Sequence, residues 1–427
     1  MTRYLYYLSL LLLLVGAKYI TIGPNITLFK GVFALAMLLG LFAPGGVSKG
    51  PPPKFIFAFV VFTLFLVVSV TRAPTPGLGY VELYSYLACL VGAWAAFVFL
   101  HEASHFKGLA IVLVLGGVIN AVVGLLQVFV SSSFYVFREA DFQSGRALGF
   151  YPNPNGLGSL LVLAFFLCIA LAHISSPRTR RMYLWGVAPL LLAACVLTFS
   201  RSALLGVVAG LALYALRFRK MRGSIGMLIF LGLLVGVAYY VLSLGLAGAE
   251  RWQYGNIEGN IRWYMMERAL ALFAESPILG HGAYGFAVKE RMVLHVAFLV
   301  PLVEQGALGW AAYLFLVGGA FLELLRGALK MLEAKASWFF WAMACGYGAL
   351  MFHTNLHGGG YRSVLLWILI GVGFRVRQLQ VSHPERLRFN VPRPKPGPAL
   401  VTTGIDQVDP RGLLLPAAPP SPLGRAR

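Results

Sequence analysis

Six polar residues stand out by type and position. Arg201 lies in Thr-Phe-Ser-Arg-Ser-Ala, between two apolar runs with almost no loop between them. Arg146 opens Arg-Ala-Leu-Gly-Phe-Tyr-Pro-Asn-Pro-Asn-Gly, Arg262 opens a short amphipathic stretch, and Arg291 follows it. His295 immediately precedes another apolar run. Glu304 sits inside that run, after Pro301 and before Gly306 and Gly309. Guanidinium forks match phosphate oxygens and keep their charge, so outward arginines on separate elements suit a diphosphate. Their competing role is snorkelling to lipid headgroups. A neutral imidazole suits a general base near pH 7, although a lone His at a helix start also serves as a cap. Glu304 has no basic neighbour in sequence and needs a partner from another element. It would orient His295 or an arginine, or form a structural pair near the helix break at Pro301.

Such residues must be held at a boundary between water and lipid, and the composition supplies the means. The chain has 427 residues, 59% hydrophobic and 12% charged, with a mean hydropathy of +0.77. Soluble domains carry about 25% charged residues. The contrast excludes an ordinary soluble enzyme, a disordered chain and a DNA-binding module. The net charge of +20 then serves first to orient helices, not to bind nucleic acid. Apolar blocks of about 15–25 residues fit a hydrocarbon core ~30 Å thick. The pattern predicts an all-α, polytopic membrane protein of about twelve spans. These are 4–20, 27–44, 55–71, 79–100, 109–131, 157–174, 183–199, 203–217, 224–247, 297–318, 337–353 and 363–374. The first block lacks a small-x-small cleavage site and is followed by Lys18, which suits an anchor better than a signal peptide.

With the N-terminus inside, most of the 35 Lys and Arg fall on the cytoplasmic side, including the clusters Arg178–Arg181 and Arg217–Arg222. This predicts that both termini are cytoplasmic. Residues 1–374 form the transmembrane domain, and 248–296 are its longest outer loop. Within that loop Ile261 to Phe273, with Trp263 and Tyr264, reads as an interfacial helix. Residues 375–427, rich in Pro and Arg, read as a disordered cytoplasmic tail in contact with anionic lipid. All six polar residues then fall on the outer face or in the adjoining half of the membrane.

Other motifs lead elsewhere. Cys89, Cys168, Cys195 and Cys345 lie apart within apolar blocks and read as small buried hydrophobes. His353 and His357 have an i, i+4 spacing, but Gly358-Gly359-Gly360 follows and no third ligand is evident. His101 and His105 share the spacing on the cytoplasmic side. Gly280-His281-Gly282 reads as a turn. There is no Walker sequence, no dinucleotide fingerprint and no Asp-x-Asp pair for a metal-bound nucleotide sugar. No metal and no cofactor is expected.

The ordered pieces resemble the O-antigen ligase and O-antigen polymerase superfamily of bacterial envelope enzymes. Arg146 through Gly156 is similar to the family's Arg-then-Pro-Asn element, and Thr198-Phe199-Ser200-Arg201-Ser202 to its Thr-x-Ser-Arg turn. Arg262 followed by Glu275-Ser276-Pro277-Ile278-Leu279-Gly280-His281-Gly282 resembles its outer loop. His295 followed by Glu304-Gln305-Gly306-Ala307-Leu308-Gly309 resembles its His…Glu-x-Gly-x-x-Gly element. The core of the resemblance runs over about 183–320. Two positions depart from it: Val296 stands where the family commonly has Asn, and Met266 where it often has Trp.

The resemblance implies a metal-independent, inverting glycosyltransferase in the bacterial inner membrane with its active site facing the periplasm. The donor would be a glycan on a polyprenyl diphosphate such as undecaprenyl diphosphate. The acceptor would be a sugar hydroxyl of lipid A–core, or a second lipid-linked glycan. His295, Arg201 and Arg262 would be catalytic, with Arg146, Glu304 and Arg291 binding substrate. Ligase, polymerase and protein O-oligosaccharyltransferase activities all remain open within the family. A twelve-helix transporter is the rival from another class. Transporter sites, however, lie near the bilayer midplane, whereas these polar residues crowd the outer edge.

Overall fold

In lipid every backbone N–H and C=O must be satisfied within the protein, and an apolar run does this as a helix. The computed structural model describes residues 2–15, 21–23, 26–41, 50–130, 145–217, 255–357 and 363–389. The expected span at 224–247, residues 248–254 of the outer loop, and the tail from 390 lie outside the described residues. The described part is helical apart from one short antiparallel pair, β1 (Thr21–Gly23) and β2 (Ile26–Thr27).

In chain order the helices begin with α1 (Thr2–Leu14), α2 (Leu28–Leu41), α3 (Pro53–Thr71), α4 (Pro76–Phe99) and α5 (Ala103–Phe129). Next come α6 (Pro154–Ile174), α7 (Pro177–Leu197) and α8 (Arg201–Ala215). The last are α9 (Gly255–Glu275), α10 (Gly285–Glu290), α11 (Leu299–Leu329), α12 (Ala334–His357) and α13 (Val364–Ser382). Among the described residues seven helices are long and apolar enough to cross a membrane: α3, α4, α5, α6, α7, α11 and α13. Three apolar helices are shorter: Thr2–Leu14, Gly31–Gly40 within α2, and Arg201–Ala215. At about 1.5 Å per residue, the 15 residues of α8 reach only about 23 Å. That is less than a hydrocarbon core.

The centre of the bundle is α6, packed against α5, α7, α8 and α12. Helix α8 reaches α12 through Gly206 and Gly210, a small-xxx-small stripe. A Cβ on Gly210 would lie 2.4 Å from the Phe166 ring. A second group of helices surrounds α13, which packs against α4 and α11, while α3 packs on α11. Pro177, with Ser176 capping Thr179 N–H, starts α7 six residues before the apolar run does. Helix α13 runs on to Ser382, past the sequence boundary at 374, and its Arg375 is 1% exposed.

Arg375 is tolerated at that depth because its nitrogens are used. Nε donates to the Leu100 carbonyl (2.8 Å), Nη1 to Gln378 Oε1 (2.7 Å) and Nη2 to His101 Nδ1 (2.6 Å). The ring proton of His101 is therefore on Nε2, facing the Val98 carbonyl at 2.8 Å. His101 lies in the corner between α4 and α5. Burial, reinforced by the Arg375 charge, holds its imidazole below the ordinary value of about 6.5. A base depressed in the fold binds its proton more readily when unfolded. Its contribution is complete above about pH 6.5 and is lost as the pH falls below that. The thermal midpoint in detergent should drop between pH 7 and 5, with a shallower drop in His101→Gln. Equal slopes in the two proteins would show that His101 does not carry the effect.

Candidate active site

The site is built on two chain breaks, each repaired by a neighbouring segment. The first is the corner between α7 and α8. Thr198, Phe199 and Ser200 turn the chain, with Phe199 in the left-handed region at φ 48°. Thr198 Oγ1 donates to the Cys195 carbonyl (2.6 Å) and accepts from Ser200 N–H (3.2 Å). Ser200 caps α8 by accepting from Ala203 N–H (3.4 Å). A helix end leaves carbonyls without intrahelical donors, and residues 146–147 supply them here. Arg146 Nε donates to the Thr198 carbonyl (2.8 Å), and Ala147 N–H to that of Leu197 (2.9 Å).

The start of α6 closes the same corner. Asn153 caps it by accepting from Gly156 N–H (2.7 Å), and Asn155 Oδ1 accepts from Ser200 Oγ (2.8 Å). His353 Nε2, buried on α12, lies 3.0 Å from the Asn155 carbonyl. From α5, Gln127 Oε1 accepts from the N–H groups of Leu148 and Gly149 at 2.9 and 2.8 Å. Asn120 Oδ1 accepts from Phe150 N–H at 2.9 Å. The two motifs read separately in the sequence thus form one hydrogen-bonded unit. Within it Arg201, half-buried, is the first residue of α8. There its guanidinium adds to the positive end of the helix dipole. Arg146 is 3% exposed, with Nε used on the corner itself.

The second break is inside α11. Gly306 has φ 75° and ψ −173°, which interrupts the helix. The Gly-His-Gly turn takes over the freed groups. His281 N–H donates to the Val303 carbonyl (2.7 Å) and Gly282 N–H to that of Glu304 (3.1 Å). Ala307 N–H donates in return to the Pro277 carbonyl (2.8 Å). The turn is anchored by His281 Nε2 on the Leu272 carbonyl (2.6 Å) and by Ala283 N–H on that of Ser69 (2.9 Å). Glu304, 4% exposed, accepts from Tyr284 N–H at Oε1 (3.0 Å). The carboxylate holds the 280–284 turn on the broken helix, and the break lies at Gly306, not at Pro301, which is inside the first turn of α11.

A side chain at position 306 would put its Cβ 2.2 Å from the Ile278 carbonyl oxygen. This extended, positive-φ conformation is essentially glycine-only and costs another residue about 1–3 kcal/mol, and overpacking adds about 1–3 kcal/mol. Gly306→Ala should therefore lower the thermal midpoint sharply and remove activity. Gly318→Ala, in the same helix with open space around the added methyl, should be neutral or mildly stabilising. Matching behaviour of the two variants would rule out the break as a structural requirement.

A cavity of about 460 Å³ has a wall that includes Trp263, Met266, His295, Phe298, Phe352 and Asn355. His295 is exposed at the N-terminal approach to α11. Trp263 and Met266 come from α9, directly after Arg262, whose side chain lies outside the described part. Arg291 is exposed, ending α10 in the left-handed region at φ 53°. Met265, Ala269 and Leu272 are the buried face of α9, while Trp263 and Tyr264 are exposed. The end of α12 links the two places: His353 meets the Arg201 corner, while Phe352, Asn355 and Leu356 line the His295 cavity. Asn120, Gln127 and Asn355 have no obvious signal in the sequence. Each is one amide in an apolar helix; the loop partners of Asn120 and Gln127 are remote in the chain, and Asn355 Nδ2 donates to the Met351 carbonyl at 2.9 Å.

No curated protein matches the chain. Residues 186–314 match the family model described as O-antigen ligase. That stretch contains Arg201, Arg262, Arg291, His295, Glu304 and the Gly306 break; Arg146 lies before it. The match over residues 186–314 supports the resemblance to the O-antigen ligase-like superfamily read from the sequence motifs.

Proposed function

We propose that the protein is an O-antigen ligase. In this reading a glycan is transferred from a polyprenyl diphosphate to a sugar hydroxyl of lipid A–core, at the periplasmic face of a bacterial inner membrane. The acceptor oxygen attacks the anomeric carbon from the side opposite the leaving group, so the configuration inverts. The bond from that carbon to the diphosphate oxygen breaks, and the diphosphate leaves with the electron pair. His295 takes the acceptor proton. Arg201 and Arg262 neutralise the leaving diphosphate, so no metal is needed. Arg146 and Glu304 hold the two chain breaks in register, and Arg291 meets the glycan or the outer phosphate. The observation that carries this reading is the end of α12, one turn of which faces both the Arg201 corner and the His295 cavity.

The reading includes the twelve-span, N-in and C-in topology, which puts the outer loop in the periplasm. A reporter fused near residue 255 should read as extracytoplasmic, and one near 180 as cytoplasmic. A cytoplasmic signal at 255 would put the site on the wrong face and end the proposal. The activity is tested with protein purified into proteoliposomes containing a lipid-linked glycan and lipid A–core. Glycan joined to core is the expected product. Lengthened lipid-linked glycan with untouched core would replace ligase by polymerase.

A further inference from the structure

We infer that the corner between α6 and α7 is a second binding site, for the phosphate group of an anionic membrane phospholipid. It lies at the far end of α6 from the Arg201 corner. The 21 residues of α6 separate the two by about 32 Å at 1.5 Å per residue, close to one hydrocarbon thickness. A cavity of about 290 Å³ opens there, lined by Ser175, Pro177, Arg180, Arg181, Leu184 and Trp185. Arg180 and Arg181 are exposed, and among the described residues neither guanidinium meets a carboxylate. Two uncompensated cations beside one concavity favour an anion, and guanidinium forks favour phosphate oxygens.

The lining also says which phosphate. Arg180 with Leu184, and Arg181 with Trp185, are i, i+4 pairs, hence neighbours along one helix surface. Each pair sets a cation one turn shallower than an apolar side chain, matching a headgroup phosphate above an acyl chain. Trp185 is 82% exposed and Met182 beside it 54%, a cost in water that an interfacial position removes. A soluble phosphate would use the arginines and leave this apolar floor uncovered.

The local backbone has a cause in the sequence. Pro189 has no N–H to return to the Trp185 carbonyl, and its ring crowds that carbonyl. The chain answers with a π-helical turn over Tyr183–Val187, a feature frequent at functional positions. Cys168 Sγ donates to the Tyr183 carbonyl at 3.2 Å and fixes the turn on α6. Arg178 is exposed on the same short segment but does not line the cavity, which makes it the internal control.

The test is native mass spectrometry of the purified full chain in non-ionic detergent. Phosphatidylglycerol and phosphatidylcholine are added in separate arms, and inorganic phosphate is then added to the phosphatidylglycerol-bound protein. Wild type should retain phosphatidylglycerol in preference to phosphatidylcholine. The Arg180→Gln, Arg181→Gln double variant should lose at least about tenfold of that retention, and Trp185→Ala should lose part of it. Arg178→Gln should retain it in full. Undiminished retention in the double variant, or an equal loss in Arg178→Gln, would overturn the site in favour of diffuse charge. Inorganic phosphate displacing the lipid at millimolar concentration would overturn the lipid assignment in favour of a soluble anion.

Discussion

Replacing His295 by alanine should lower the transfer rate by about 10²–10⁴-fold, the range that a positioned proton acceptor contributes. Donor binding should stay near normal, because in the proposed mechanism the diphosphate is held by groups on other elements. The exposed imidazole lies on the wall of a largely apolar cavity, between α9 and the end of α12. In the proposed mechanism an acceptor hydroxyl entering there would meet the His295 imidazole at the rim. His353 gives the contrast. Its imidazole is buried and faces the Asn155 carbonyl at 3.0 Å, so His353→Ala removes one of the donors to that half-buried carbonyl, which keeps Ser159 Oγ at 3.1 Å. Loss of that bond costs about 0.5–1.5 kcal/mol of stability and should appear in the thermal midpoint before it appears in the chemistry. The measurement is single-turnover transfer by purified variants with lipid-linked donor and acceptor. Near-wild-type transfer by His295→Ala would remove the residue from the mechanism. Inhibition by EDTA, reversed by a divalent ion, would put a metal in its place.

How far the sequence reaches depends on the kind of interaction. Helices whose apolar run begins at a helix start were legible: 55–71, 79–100 and 157–174 lie within a few residues of Pro53–Thr71, Pro76–Phe99 and Pro154–Ile174. The start of α7 was missed because Pro-Arg-Thr-Arg-Arg-Met reads as a polar loop, although Ser176 and Pro177 form a good helix entry. The end of α13 was missed because Arg375 and Arg377 look like the start of a tail. Only the fold brings the Leu100 carbonyl and His101 to Arg375.

The same division holds at the site. The place of Arg201 between two apolar runs was readable, since it is local; its Ser200 cap, equally local, shows only in the fold. The anchoring of Arg146 on Thr198, 52 residues away, was not, nor was the exchange of hydrogen bonds between Gly-His-Gly and the α11 break. Sequence spacing carries local caps and periodicity. It does not carry which distant carbonyl a freed donor finds.

Arg201→Ala should lower transfer by about 10²–10³-fold, as removal of one preorganised donor to a developing negative charge does elsewhere. Arg262→Ala should lose a similar amount. Arg201 is the first residue of α8, beside N–H groups with no intrahelical carbonyl to bond. Its fixed charge and the helix dipole favour the same ligand, an anion that gains charge as the glycosyl bond breaks. Arg201→Lys should recover only part of the rate, because an ammonium keeps the charge but cannot present two parallel N–H groups. Arg146→Ala should behave differently. The Arg146 Nε bonds to the Thr198 carbonyl in a nearly closed environment, so its loss should lower the thermal midpoint along with the rate. Arg201→Ala should leave that midpoint close to wild type. Rates with lipid-linked donor, taken with thermal midpoints at equal protein level, separate the two roles. Wild-type turnover in both Arg201→Ala and Arg262→Ala would confine these guanidiniums to lipid headgroups and leave the diphosphate without its clamp.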